Sequence, residues 1–119
     1  MVDTDDYDRE QVLGDIKPLL RNGMWPEFPL DPGWYFGPVS GPDQSVSGKY
    51  GHRHQLHLMQ QVLARLGWEL EADGLYGPAT REATLEFQRK NELAADGLIG
   101  PDTWNAAWQA LIQQGIDDL

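Results

Sequence analysis

The sequence predicts an all-α protein, a small three-helix bundle over residues 52–119 preceded by an irregular Gly/Pro/aromatic-rich extension over residues 1–51. Three observations lead there. The octad DGLYGPAT at Asp73–Thr80 returns 23 positions later as DGLIGPDT at Asp96–Thr103 with six of eight residues unchanged, and a repeat of this kind defines architecture. Each copy runs through Gly-Pro into a stretch with helical apolar spacing, and proline is favoured at the first helical position. Residues 22–51, by contrast, are punctuated by Gly and Pro so often that no long regular element fits.

Taken in order, the acidic start MVDTDDYDRE leads into EQVLGDIKPLLR, where Val12, Leu13, Ile16, Leu19 and Leu20 fall at roughly helical spacing. Gly14 and Pro18 interrupt that pattern, which predicts one short or broken helix. The segment NGMWPEFPLDPGWYFGPVSGPDQSVSGKYG carries Trp25, Phe28, Trp34, Tyr35 and Phe36, more aromatics than a disordered linker holds, so it should be ordered and packed on something. A first long helix is expected at 54–66, with Leu56, Met59, Leu63 and Leu66 on one face and Gly67 as its stop. The second is expected at 78–91, with Ala79, Ala83 and Phe87 along a stripe. The third is expected at 101–114, where Trp104, Ala107, Trp108, Leu111 and Ile112 make a buried face. Leu63, Leu75, Phe87, Leu98 and Trp104 are the predicted core.

The octad reads as a helix entrance built twice. Asp-Gly suits a tight turn in which the carboxylate accepts backbone N–H groups and glycine takes a left-handed conformation. Leu75 and Leu98 then tuck inward as pegs, and Pro78 and Pro101 open the helices.

Composition excludes several functions. At 119 residues the chain holds one small domain plus an extension. A formal charge of −10 argues against a nucleic-acid or anionic-membrane partner. No cysteine is present, which removes disulfides and thiolate metal sites. The start lacks a basic region followed by an apolar run, so no secretory signal is expected, and no apolar run is long enough to span a bilayer. His52, His54 and His57 are clustered, but without H-E-x-x-H or a second shell they read as a helix start rather than a metal site. No G-x-S-x-G motif, cysteine nucleophile or phosphate loop occurs, and Asp73 and Asp96 already have turn duties.

The run MQQVLARLGW, then DGLYGPATREATLEFQ, then LAADGLIGPDTW resembles the peptidoglycan-binding domain of the three-helix type found in phage lysins and other wall-associated proteins. That family has an L-Q-x-x-L-x-x-L-G-Y helix, two D-G-x-x-G-x-x-T entrances, an A-V-x-x-F-Q helix and a terminal T-W. The resemblance covers about residues 55–112. Met59 stands for the usual Leu, Trp68 for Tyr, Thr84 for Val, and Glu92 for the glycine after the second helix, which would pass the left-handed cap to Asn91. The lead-in GWYFGPVSGPDQSVSGKYG is similar to segments that precede such domains in proteins of phages infecting actinobacteria.

The resemblance implies a non-catalytic wall-binding protein, a virion-associated component whose ligand is the glycan or stem peptide of peptidoglycan. Residues 1–51 would dock it on another phage structural protein, with no cofactor, metal, nucleic acid or membrane involved. It would be made in the host cytoplasm without a signal peptide and act in the virion or outside the cell at the host wall. A structural decoration or adaptor with a vestigial wall-binding fold is the alternative. The targeting half of an endolysin is a third, disfavoured by the initiating Met and the lack of a catalytic remnant. Trp68, Tyr76, Arg81 and Gln88 are the expected ligand-binding residues: aromatic faces stack on sugar C–H surfaces, an amide satisfies peptide or acetamido groups, and a guanidinium meets a carboxylate bidentately. Trp104 and Trp108 are assigned to the core.

Overall fold

Residues 13–117 and 119 are described in the computed structural model, so the acidic head over residues 1–10 and Val12 of the first amphipathic stretch lie outside the described residues. The elements are α1 (Lys17–Arg21), β1 (Tyr35–Phe36), β2 (Ser45–Val46), α2 (Arg53–Arg65), α3 (Pro78–Lys90) and α4 (Pro101–Gln114). Each long helix lies within one residue of its expected bounds. Both α3 and α4 start on proline with an extended glycine before it, because a residue without an N–H loses nothing in the first turn.

Two of the helix ends share one hydrogen-bond frame. After α2, Gly67 at φ 111° donates to the Ala64 carbonyl at 3.1 Å and Trp68 donates to the Leu63 carbonyl at 3.2 Å. After α3, Glu92 donates to the Arg89 carbonyl at 3.3 Å and Leu93 donates to the Gln88 carbonyl at 2.8 Å. These are Schellman pairs, which place the left-handed residue at 67 and 92. Asn91 therefore does not carry the left-handed cap: it stays at φ −104°, while Glu92 sits at φ 57°. Residue identity did not choose the position; the bond from Leu93 back to Gln88 did. A side chain held left-handed costs roughly 1–2 kcal/mol, partly offset by glycine's larger entropy when unfolded. Glu92→Gly is expected to stabilise the protein by about 0.5–1 kcal/mol, read as a higher midpoint in urea denaturation.

The core forms where α2 packs on α4, with α3 closing one side. Leu56, Met59, Val62 and Leu63 of α2, Phe87 of α3, and Trp104, Ala107, Trp108 and Leu111 of α4 are all within 1% of complete burial. Ala79 is exposed, whereas its neighbour Thr80 is the residue of the first turn of α3 that is buried. The two pegs are also corrected. Leu75 is exposed and Leu98 only half-buried, whereas Ile99 is fully buried and Tyr76 packs against the core. The backbone of each Leu is pinned in the turn, its N–H by the preceding Asp carboxylate and its C=O by a glutamine amide, and the extended chain then turns the next side chain inward.

The extension is sewn onto the two octads. Phe36 exchanges backbone bonds with Ile99 at 3.0 Å each way, and Tyr76 donates to the Ser47 carbonyl at 2.9 Å, so equivalent positions of the two copies each hold one strand of the extension. The strands themselves pair in parallel, Tyr35 with Ser45 and Phe36 with Val46. Phe28 meets Phe36 and Trp104 edge-on at 6.0 and 5.7 Å, and the Trp104 indole donates to the Pro26 carbonyl at 2.8 Å. Gly48 makes the closest approach: at φ 88° it faces the Gly74 carbonyl, which an added Cβ would meet at 1.9 Å. Leu13, Leu20 and Phe36 belong to the same hydrophobic cluster as the bundle, so residues 13–51 share a core with residues 52–119.

Candidate functional site

Two buried glutamines build the frame of the site. Gln60 of α2 accepts the Gly74 N–H at 2.7 Å and donates to the Leu75 carbonyl at 2.8 Å and to Thr80 Oγ1 at 3.0 Å. Gln88 of α3 does the same for the second octad, accepting Gly97 N–H at 2.9 Å and donating to the Leu98 carbonyl at 2.9 Å and Thr103 Oγ1 at 3.0 Å, with Asp96 Oδ1 also at 3.0 Å. An amide has two N–H groups, so these three acceptors share two donors. Each helix thus clasps the loop that follows it, and the repeated pattern of the octad has a mechanical reason: Gly for the turn, Asp for the Leu N–H, Thr for the amide.

This assigns Gln88 to the scaffold. It is 1% exposed and its amide is fully engaged, so it has no group left for a ligand. Tyr76 is half-buried, and its hydroxyl donates to the Gly97 carbonyl, tying one octad to the other. Arg81 is exposed, with its aliphatic stem over Gly97. Tyr76, Arg81 and Gln88 are therefore gathered around Gly97.

Burial pushes the Tyr76 phenol up from 10.0 to about 12, with the Arg81 charge opposing and the Asp96 charge adding to the rise. The folded protein thus holds this proton more tightly than the unfolded chain does. The stability Tyr76 contributes is intact below pH 10 and is lost as the pH rises through about 12. In an ultraviolet titration of the chain's four tyrosines, Tyr76 is expected to ionise late, and Tyr76→Phe should remove that late step.

Trp68 stands apart from the other three. It is held by the Schellman frame after α2, edge-on to Phe87 at 5.5 Å, with Lys90 Nζ 5.6 Å from its ring centroid. Arg81 and Lys90 lie at opposite ends of α3, a separation of about 13 Å at 1.5 Å rise per residue. The half-exposed indole lines a shallow groove of 630 Å3 together with Leu66, Glu86, Arg89 and Lys90. A smaller recess of 270 Å3 continues past the ring to Ala110 and Gln113. Arg89, Lys90 and Gln113 were not among the expected residues; the adjacent cations at the end of α3, in so acidic a chain, were the available signal.

The three histidines are divided by the start of α2. His57 is fully buried, while His52 and His54 are exposed. Among the described residues no group of three His, Cys, Asp or Glu side chains is placed to hold a metal ion, and no helix is long and apolar enough to cross a membrane.

Residues 52–107 match the family model described as "Putative peptidoglycan binding domain". No curated protein matches the chain. Among solved structures, it is similar to the crystal structure of a peptidoglycan-binding protein from Clostridioides difficile in complex with glutamine hydroxamate, at 30% identity and a TM-score of 0.50. The likeness covers 56% of this chain and 39% of that one, so this chain spans well under half the length of that protein.

Proposed function

We propose that the protein is a non-catalytic cell-wall binding protein whose domain at residues 52–107 holds peptidoglycan in the groove beside Trp68. One observation carries the site: a half-exposed indole, fixed by the α2 stop, shares a groove with two cations, Arg89 and Lys90, in a chain of net charge −10. The indole offers a face to sugar C–H groups, and Arg89 and Lys90 meet the carboxylates of a stem peptide. Arg81 and Tyr76 at the other end of α3 extend the contact along the ligand, while Gln88 keeps the second octad in shape.

We also propose that the protein works as a virion-associated component at the host wall, with residues 1–51 presenting the surface for another phage structural protein. The aromatic Gly-Pro lead-in is what supports this. Failure to bind walls, with the protein present in purified virions, would replace the wall-binding role by that of a decoration or adaptor.

Sedimentation with purified peptidoglycan is the direct test. Trp68→Ala should weaken binding by about 1–2 kcal/mol while the fold survives. Long-range Coulomb forces oppose approach of this acidic chain to a wall rich in carboxylates and phosphates, and salt screens them, the Debye length falling from ~10 Å at 0.1 M to ~3 Å at 1 M. Affinity should therefore hold or rise with salt; a collapse at moderate salt, or unchanged binding by Trp68→Ala, counts against this site. No muropeptide release is expected, and turnover abolished by a chelator would point back to the histidines.

A further inference from the structure

Five large hydrophobic side chains are exposed among the described residues, and three of them, Trp34, Val39 and Tyr50, line one cleft. Single exposed apolar residues are ordinary on a protein surface, but aromatics gathered at a concavity mark an interaction site. The cleft has a volume of 270 Å3 and lies between the β2 segment and the start of α2. Asp43, Ser47 and His52 add polar groups to its walls. Tyr50 is 83% exposed and Trp34 37%, so both rings can be reached. All of these residues except His52 lie before the residues matched by the family model.

From this cleft we infer a second binding site, built by the extension, for an uncharged N-acetylated sugar. The walls are preorganised. Ser45 Oγ donates to the Pro38 carbonyl at 2.8 Å, Ser45 N–H to the Pro42 carbonyl at 2.8 Å, and Gly37 N–H to the Val46 carbonyl at 3.0 Å. With the Ser47 carbonyl also taken by Tyr76 N–H at 2.9 Å, the backbone here is engaged and an added peptide strand has little to pair with. Recognition must come from side chains.

Charge narrows the class further. Asp43 and the net −10 of the chain repel an anion. A cation approaching the Tyr50 ring is repelled by the Lys49 ammonium, whose Nζ lies 5.4 Å from the ring centroid. A neutral pyranose fits what remains: C–H faces against Trp34 and Tyr50, hydroxyls toward Asp43 and His52, and the methyl of an acetamido group against Val39. The size of the cleft, at the lower end for small-ligand sites, suits about one sugar ring. This site is distinct from the Trp68 groove and goes beyond the reading given for it.

The test is a titration of the full 15N-labelled chain with the N-acetylglucosamine trisaccharide, followed by NMR up to about 10 mM, a range that captures millimolar affinity. Progressive shifts are expected at the Trp34 indole N–H and at the Ser47, Tyr50 and His52 amides. Trp34→Ala and Tyr50→Ala should each weaken the response roughly tenfold with unchanged circular dichroism, both side chains being exposed. Trp68→Ala should leave these shifts as they are. Absence of shifts at the cleft, shifts undiminished in both variants, or an equal response to choline would overturn the assignment. Cleft shifts without sedimentation on walls would uphold this site and reject the wall-binding role; sedimentation lost in Trp68→Ala, with no cleft shifts, would do the reverse.

Discussion

Trp104→Ala is expected to lower stability by about 3–5 kcal/mol, enough to unfold much of a small domain. The side chain is fully buried and touches Phe28, Phe36 and Trp108, with ring centroids 5.7, 6.2 and 6.0 Å away. It belongs to α4, yet two of those three rings come from the extension, and its indole N–H is bonded to Pro26. Truncation would empty the centre of the core and detach residues 26–36 from the bundle together. A thermal melt followed by circular dichroism should show Tm falling by about 12–40 °C, at about 4–8 °C per kcal/mol for a domain near this size. Trp104→Phe keeps most of the packing and loses the bond to Pro26, so a smaller loss of about 1–2 kcal/mol is expected. Equal losses for the two variants would mean that the hydrogen bond, rather than the volume, holds the extension.

Gln88→Leu should be comparably damaging, by about 3–5 kcal/mol. The substitution fills much of the same space with an apolar side chain but strands the Gly97 N–H, the Leu98 carbonyl and the Thr103 hydroxyl, and each buried group left unpaired costs about 1–3 kcal/mol. Hydrogen exchange gives the residue-level readout: the Gly97 amide should be protected in the parent protein and exchange much faster in the variant. Gln60→Leu should do the same to Gly74. If Gln88→Leu instead kept its stability and lost only wall binding, the residue would belong to the ligand site and the clasp would be unimportant.

The behaviour of individual residues shows why some features could be read in advance. Phe87 and Trp104 lie on stripes of 3.6-residue period, a signal carried by near neighbours in the chain, and both are buried as the stripes require. Pro78 and Pro101 mark helix starts by the same local logic. Gln88 misled because a polar residue near aromatics reads equally well as a ligand contact or as an internal hydrogen-bonding group, and burial decides between them. Gln60 escaped notice although it has the same task. It precedes its loop glycine by 14 residues where Gln88 precedes its own by 9, so the two clasps do not align as a repeat. Tyr76, Arg81 and Gln88 converge on Gly97 while Trp68 lies toward the far end of α3, a division that residue type alone does not contain.

The three long helices and their bounds, the two turn-and-proline entrances and most of the apolar face of each were legible without coordinates, because periodicity, turn chemistry and the missing proline N–H act within a few residues. The docking of the extension was settled by folding. Phe36 with Ile99, Trp25 with Asn105 and Pro26 with Trp104 are bonds between residues more than sixty positions apart, and such pairings leave no local pattern. The left-handed Glu92 and the outward Leu75 have the same origin. A hydrogen-bond frame closed from both sides fixed the backbone there, and the side chains took the directions that remained.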